Sequence, residues 1–452
     1  MSTFARWSVS VLLLGAATGL TPRGARAAEI TDVADAADTV AIGEDEVPNP
    51  WDLRVGTAWD SFWGSGVITR EPVDRPNEVN PSCNENSPRC APVPELAYTR
   101  RTVVQTVRLE AGVYHDLSLV ADLPIVYSDT LAYHYAPGVT AATSSVDTGD
   151  PATSLFPHNF VSWRNGLGPM GVALRWGATS DERDAAMPAW VMTVRWQNPA
   201  TSHTNRFALT RQDAPGPVGD GLHRLSFSMA FSKRLGWFGL LGGDEGVPRR
   251  GFLEPYMEFA YTLPIPAAGR AVQALSPSAG NPFGDRSSHV GQIKAGVEWV
   301  GYENLRTGRK LSFDVGMRSA YFSEARNYTP LSDPLQRATF SEQYMHVSGY
   351  LGVAVQPASV LKLRLGVGLG YDTEHWLTNE VVGLDANGDG RVTEPDLDGN
   401  AAKDQLNPYA CGNDPADLCR SRNVISFDRV GARFRDTQHF TVSAQFSATL
   451  LF

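Results

Sequence analysis

Residues 385–397 run Asp-Ala-Asn-Gly-Asp-Gly-Arg-Val-Thr-Glu-Pro-Asp-Leu, and oxygen-bearing side chains fall at alternate positions leading into a glycine. Asp385, Asn387 and Asp389 stand at positions one, three and five, Gly390 permits the sharp turn at six, and Asp396 closes the stretch at twelve. The backbone carbonyl of Arg391 and the hydroxyl of Thr393, directly or through water, complete an oxygen set around one centre. A hard cation such as calcium takes about six to eight oxygens. Without it, the three carboxylates repel by about 1–4 kcal/mol per pair at intermediate dielectric. The chemistry predicted here is calcium binding.

The spacing resembles the calcium loop of EF-hand proteins, with one departure. Asp396 is shorter than the usual glutamate, as in dockerin-type loops, and no strong helices flank the motif. The expected affinity is that of extracellular modules, about 10⁻⁴ to 10⁻³ M. From Asp372 to Asp417 the chain carries eleven acidic residues and only Arg391 and Lys403 as bases, a field that draws divalent ions. The competing reading is an Asp/Asn/Gly-rich turn that only solvates a long loop. The four cysteines form two local pairs, Cys83 with Cys90 and Cys411 with Cys419, which in an oxidising compartment read as disulfides. Zinc is the alternative, but no histidine lies near either pair in sequence.

The elements that carry these loops are strands. Twelve period-two segments are predicted, at about 51–59, 103–114, 117–131, 168–177, 188–198, 222–233, 252–264, 289–301, 310–322, 343–356, 360–373 and 436–452. In the eleventh, Leu361, Leu363, Leu365, Val367, Leu369 and Tyr371 oppose Lys362, Arg364 and three glycines. Connections alternate: short after even strands, as at His115-Asp116 and Pro357-Ala358-Ser359, and long after odd ones, as at 132–167 and 374–435. Short periplasmic turns and long outer loops produce this asymmetry in a transmembrane antiparallel up-and-down β-barrel, an all-β fold. The last strand, Phe440 to Phe452, alternates throughout and ends on an aromatic residue, resembling the carboxy-terminal sorting signal read by the outer-membrane assembly machinery.

The amino terminus fits export. Arg6, an apolar stretch from Trp7 to Leu20 and Ala25-Arg26-Ala27 read as a signal peptide over residues 1–27. An acidic, Ala-rich periplasmic tail at 28–50 then precedes the barrel of residues 51–452; a short plug is the other reading of that tail. Removing Arg6, Arg23 and Arg26 leaves 36 basic against 49 acidic residues, which argues against nucleic acid as a partner. The implied location is the cell outer membrane. Lumen-facing charges are expected at Arg108, Glu110, Arg175, Arg195, Glu258, Lys294, Glu298, Asp314, Arg318, Lys362 and Arg364, because a cation facing lipid at midplane costs about 2–4 kcal/mol.

Three segments, Leu109–Tyr127, Gly166-Leu-Gly-Pro-Met-Gly-Val-Ala-Leu-Arg-Trp176 and Leu225-Ser-Phe-Ser-Met-Ala-Phe-Ser-Lys233, together resemble the meta-pathway phenol-degradation family of outer-membrane proteins. Pro169 stands where that family has an Asp. The resemblance covers about residues 100–265 and implies a barrel passing small, often aromatic or apolar, solutes; it carries no functional residues across. The reading is therefore a passive channel, with outer-membrane lipid, calcium and small solutes as partners. A surface adhesion or structural barrel is the alternative. A hydrolase is the third class: His346-Val347-Ser348 puts a His and a Ser on one strand face and resembles part of the outer-membrane phospholipase site, but no Asn follows about a dozen residues on.

Overall fold

The computed structural model describes residues 53–72, 83, 88–114, 116–150, 154–179, 186–199, 216, 218–236, 251–266, 287–304, 307–335, 338–379 and 431–451. The predicted signal peptide, the tail at 28–50, the Cys411–Cys419 pair and the calcium loop lie outside these residues. Cys83 and Cys90 are joined as a disulfide.

In chain order the strands are β1 (Leu53–Arg70), β2 (Val93–Tyr114), β3 (Leu117–Tyr135), β4 (Val161–Leu167), β5 (Gly171–Thr179), β6 (Ala189–Gln197), β7 (Leu222–Ser232) and the short β8 (Leu235–Gly236). They continue as β9 (Phe252–Pro266), β10 (Val290–Asn304), β11 (Arg309–Phe322), β12 (Ala325–Asn327), β13 (Thr339–Ser341), β14 (Tyr344–Ala358), β15 (Leu361–Asp372), β16 (His375–Trp376) and β17 (Phe434–Leu451). One helical turn, α1 (Ser332–Leu335), sits between β12 and β13. Twelve staves make the wall, with β4 and β5 sharing one of them, in the order β1-β2-β3-β5-β6-β7-β9-β10-β11-β14-β15-β17. β1 pairs β17 from Arg54↔Leu451 to Arg70↔Phe434, so the sheet closes on itself. Closure leaves no strand edge, which is the condition for β-structure to cross lipid.

The two faces of the wall differ as a bilayer demands. Leu365, Val367 and Leu369 on β15 and Phe440, Val442 and Leu450 on β17 point outward and are exposed, Leu369 by 68 %. The inward face carries the predicted charges: Glu110, Arg175, Lys294, Glu298, Asp314, Arg318 and Arg364 are all buried. Stacked ring pairs mark both rims, Trp190–Phe231 and Trp299–Phe313 at the end with tight turns and Trp196–His223 at the end with long loops. An apolar belt of this extent outside and a charged interior inside place the protein in the outer membrane.

Several boundaries differ from the sequence expectation. β1 runs to Arg70 rather than to residue 59, because its outward face carries Ser61 and Ser65 among the aromatics and so hides the alternation. β2 and β3 extend ten and four residues beyond their predicted loop-side ends, at 103 and 131. The fourth stave begins at Val161 and breaks at Gly168-Pro169-Met170, just past the Gly168 N–H bond to the Pro124 carbonyl at 2.8 Å, where Pro169 has no N–H to give and the register slips by one residue. The connection 323–342, expected as an outer loop, folds inward as β12, α1 and β13 and is buried almost throughout.

Candidate functional site

The interior has three levels. At mid-height, ion pairs hold charged side chains along the wall. Asp122 on β3 receives Arg108 Nε at 2.8 Å on one oxygen and Arg195 on the other. Glu110 takes Arg175 at 3.3 Å and the Ser118 hydroxyl at 2.8 Å, and Lys294 meets Glu258 at 2.8 Å. Partners on adjacent staves, or on staves with one between them, satisfy one another, so they need not reach across the lumen. Between them lies a chamber of about 100 Å³ lined by β2, β3, β5, β6, β7, β9 and β10.

Further round the wall, tyrosines stand beside the buried Arg364–Asp314 ion pair. Register sets Tyr256, Gly296, Gly316 and Tyr350 side by side on β9, β10, β11 and β14. The two rings lie over the two glycines, where any Cβ would overlap the tyrosine hydroxyls. Those hydroxyls meet each other, and Tyr256 also donates to Asp314 at 2.7 Å. Glycine at both positions lets bulky rings lie flat along the wall.

At the loop end the mouth is filled. Ile68, Leu96, Tyr98, Leu131, Tyr133, Val146, Phe156, Leu331, Leu335, Leu377 and Phe434 form one buried apolar cluster drawn from β1, β2, β3, β17 and three connections. Buried polar ties pin those connections. Arg164 on β4 pairs with Asp333 of α1 and Tyr328, and Ser162 donates to the same Asp333 at 2.7 Å. Glu71 holds the Arg433 guanidinium at 2.8 and 3.0 Å. Asp147 anchors the 136–160 connection, accepting from the His158 N–H at 2.8 Å, from Gly149 at 3.1 Å and from Ser154 at 3.1 Å.

Burial alone would push the Asp147 carboxyl up; the bonds from His158, Gly149 and Ser154 outweigh it and bring its pKa down from 3.8 to about 2. A folded value below the unfolded one gives a stabilisation fully present above about pH 4 and lost as pH falls through about 2. Pepsin digestion of the folded protein should therefore reach the 136–160 connection as pH drops through this window. Asp147→Asn should remove that step, and cleavage independent of pH from 4.5 to 1.5 would sink the assignment.

A second polar cluster lines the same mouth. His346 Nδ1 and His439 Nδ1 both face Asp372, at 2.6 and 2.5 Å, and Tyr98 donates to Asp436 at 2.9 Å. A bulge makes this possible: Gln438 adopts φ 54° and the β1–β17 register slips between Ser65 and Val67, so Asp436 and His439 both turn inward. His346 and Ser348 face the lumen and not lipid, and the carboxylate beside His346 comes from the next strand. Sequence spacing along one strand could not reveal it. Among the described residues, no group of three or more His, Cys, Asp or Glu side chains is arranged to hold a metal ion.

The predicted calcium ligands Asp385, Asn387, Asp389, Arg391, Thr393 and Asp396 lie outside the described residues. The filled mouth was missed entirely: Ala325–Leu335 reads as a polar, proline-bearing loop with no periodicity, and only the closed barrel supplies its apolar partners.

No known protein-family profile matches the chain, and no curated protein matches it. Among solved structures it is similar to an outer membrane channel from Pseudomonas putida F1, with 11% identity over 91% of this chain and 99% of that one and a TM-score of 0.35. A Pseudomonas aeruginosa FadL homologue matches with 10% identity, 89% and 90% coverage and a TM-score of 0.32. The outer membrane protease OmpT from Escherichia coli matches with 8% identity, 89% and 98% coverage and a TM-score of 0.29. With TM-scores below one half, these likenesses decide nothing about what this barrel transports or cleaves.

Proposed function

We propose that the protein is a passive outer-membrane channel for small solutes, aromatic and apolar ones among them, with a calcium site in the loop between β16 and β17. The observation that carries this reading is the wall itself. Charges pair with neighbours along it and tyrosines lie flat on glycines, an arrangement that leaves a chamber at mid-height and serves no purpose in a barrel packed solid. The apolar mouth above suits a solute with an apolar body. In the calcium site Asp385, Asn387, Asp389 and Asp396 supply side-chain oxygens, Arg391 its carbonyl and Thr393 a direct or water-mediated contact.

Planar-bilayer recording with and without calcium tests both parts. The purified barrel should show a small ohmic conductance, and proteoliposomes should take up benzyl alcohol faster than a sugar of similar mass. Millimolar calcium should protect residues 380–400 from proteolysis in the wild type but not in Asp385→Asn/Asp389→Asn. Absence of both conductance and solute flux would overturn the channel; equal proteolysis with calcium or chelator would reduce residues 385–397 to a solvated turn.

A further inference from the structure

Building on the channel reading, we propose that the mid-height chamber binds the carboxylate of a monovalent organic anion, so that the solutes carried are small acids with an apolar body. The chamber wall presents Arg108, Arg175, Arg195 and Lys294, and Glu258 is the only carboxylate among its lining residues. The other two carboxylates of the ion-pair network, Asp122 and Glu110, are buried behind the guanidinium groups, 5% and 7% exposed. Four lining cations face Asp122, Glu110 and Glu258, and Arg54 adds a further positive charge beside Glu110, so cations are in excess at this level.

The placement of that excess follows from the pairing. Asp122 is one carboxylate shared by two arginines, one on each oxygen, so this triad by itself is a cation. The Arg108 and Arg195 side chains are 23% and 14% exposed and line the chamber, whereas the Asp122 side chain, at 3%, does not, so the arginines and not the carboxylate meet the lumen. Guanidinium donors match a carboxylate in a two-pronged geometry, and a low-dielectric wall focuses the field of an excess charge into the lumen. Val120 and Val191 also line the chamber, providing contact for an apolar body, and Thr193 and Ser226 offer hydroxyls. The apolar lining beside the guanidinium donors fits a monocarboxylate with an apolar body better than a fully hydrated dianion such as phosphate. The apolar cluster at the mouth and the cationic chamber below it would meet the two ends of one amphiphilic solute in sequence.

Benzoate is the probe, with benzyl alcohol as its neutral counterpart and inorganic phosphate as the competing anion. In a potassium chloride gradient the reversal potential should report anion preference. Millimolar benzoate should reduce the chloride conductance, with benzyl alcohol and phosphate at least tenfold weaker. Arg195→Gln should weaken the benzoate block about tenfold and shift the reversal potential toward cations; Asp122→Asn should shift it toward anions. Retained heat-modifiable gel mobility shows that each variant is folded, and equilibrium dialysis of benzoate against purified protein gives a readout independent of conduction. Benzoate binding without conductance would sink the channel reading alone. Conductance with cation preference, or with benzoate, benzyl alcohol and phosphate acting alike, would overturn the carboxylate site while leaving the channel standing.

Discussion

Asp333→Ala will unseat the inward-folded segment between β11 and β14 and raise single-channel conductance several-fold. Asp333 and Arg164 are 4% and 3% exposed, and Asp333 also accepts from Ser162 at 2.7 Å. Removing one partner of a buried pair leaves an uncompensated charge and costs about 3–5 kcal/mol. Leu331 and Leu335 oppose release, since each is buried in the mouth and contributes about 1.5–3 kcal/mol. The two sums are comparable, so the single variant should flicker between closed and open levels. Adding Leu331→Ser should hold it open. The wall itself stays intact, because β11 and β14 pair from Lys310↔Gln356 to Phe322↔Tyr344 without any help from the segment. Unchanged conductance, together with unchanged protease resistance of residues 325–341, would show that the segment does not close the mouth.

What could be read in the sequence divides along a physical line. β15 was legible because Leu363, Leu365, Val367 and Leu369 face lipid while glycines face the lumen, so one face alone decides the pattern. β1 was half hidden because its outward face mixes Trp59 and Trp63 with Ser61 and Ser65. Lumen charges were legible for an energetic reason, since Lys294 or Arg364 facing lipid would be intolerable wherever its strand lies. Their partners were not, because Asp122 with Arg195 is a contact between staves separated by β5. The same holds for the mouth. Nothing local in Tyr328-Thr-Pro-Leu-Ser-Asp-Pro-Leu335 announces burial; the barrel interior supplies Arg164 and the aromatic cluster that make it favourable. Of the candidate site, the chamber's charged residues were foreseen and its capped mouth was not. The calcium ligands rest on the sequence pattern alone.

The opposite effect is expected at the tyrosine wall. Gly316→Ala should narrow the lumen and lower conductance by at least half. A methyl there would overlap the Tyr350 hydroxyl and lie 2.9 Å from the Ala295 carbonyl. The ring tip can pivot while the backbone of a closed ladder cannot, so Tyr350 should lift off the wall into the lumen. Doing so separates its hydroxyl from Tyr256, and overpacking of this size costs about 1–3 kcal/mol, too little to unfold a closed barrel. The cause can be isolated by a double variant. If the displaced ring is what narrows the passage, Gly316→Ala with Tyr350→Ala should recover or exceed the wild-type conductance, a non-additivity that separates ring from backbone. If conductance stays low without the ring, the strain runs through the Ala295 carbonyl and the β10–β11 ladder. The flat tyrosines would then owe nothing to an open lumen.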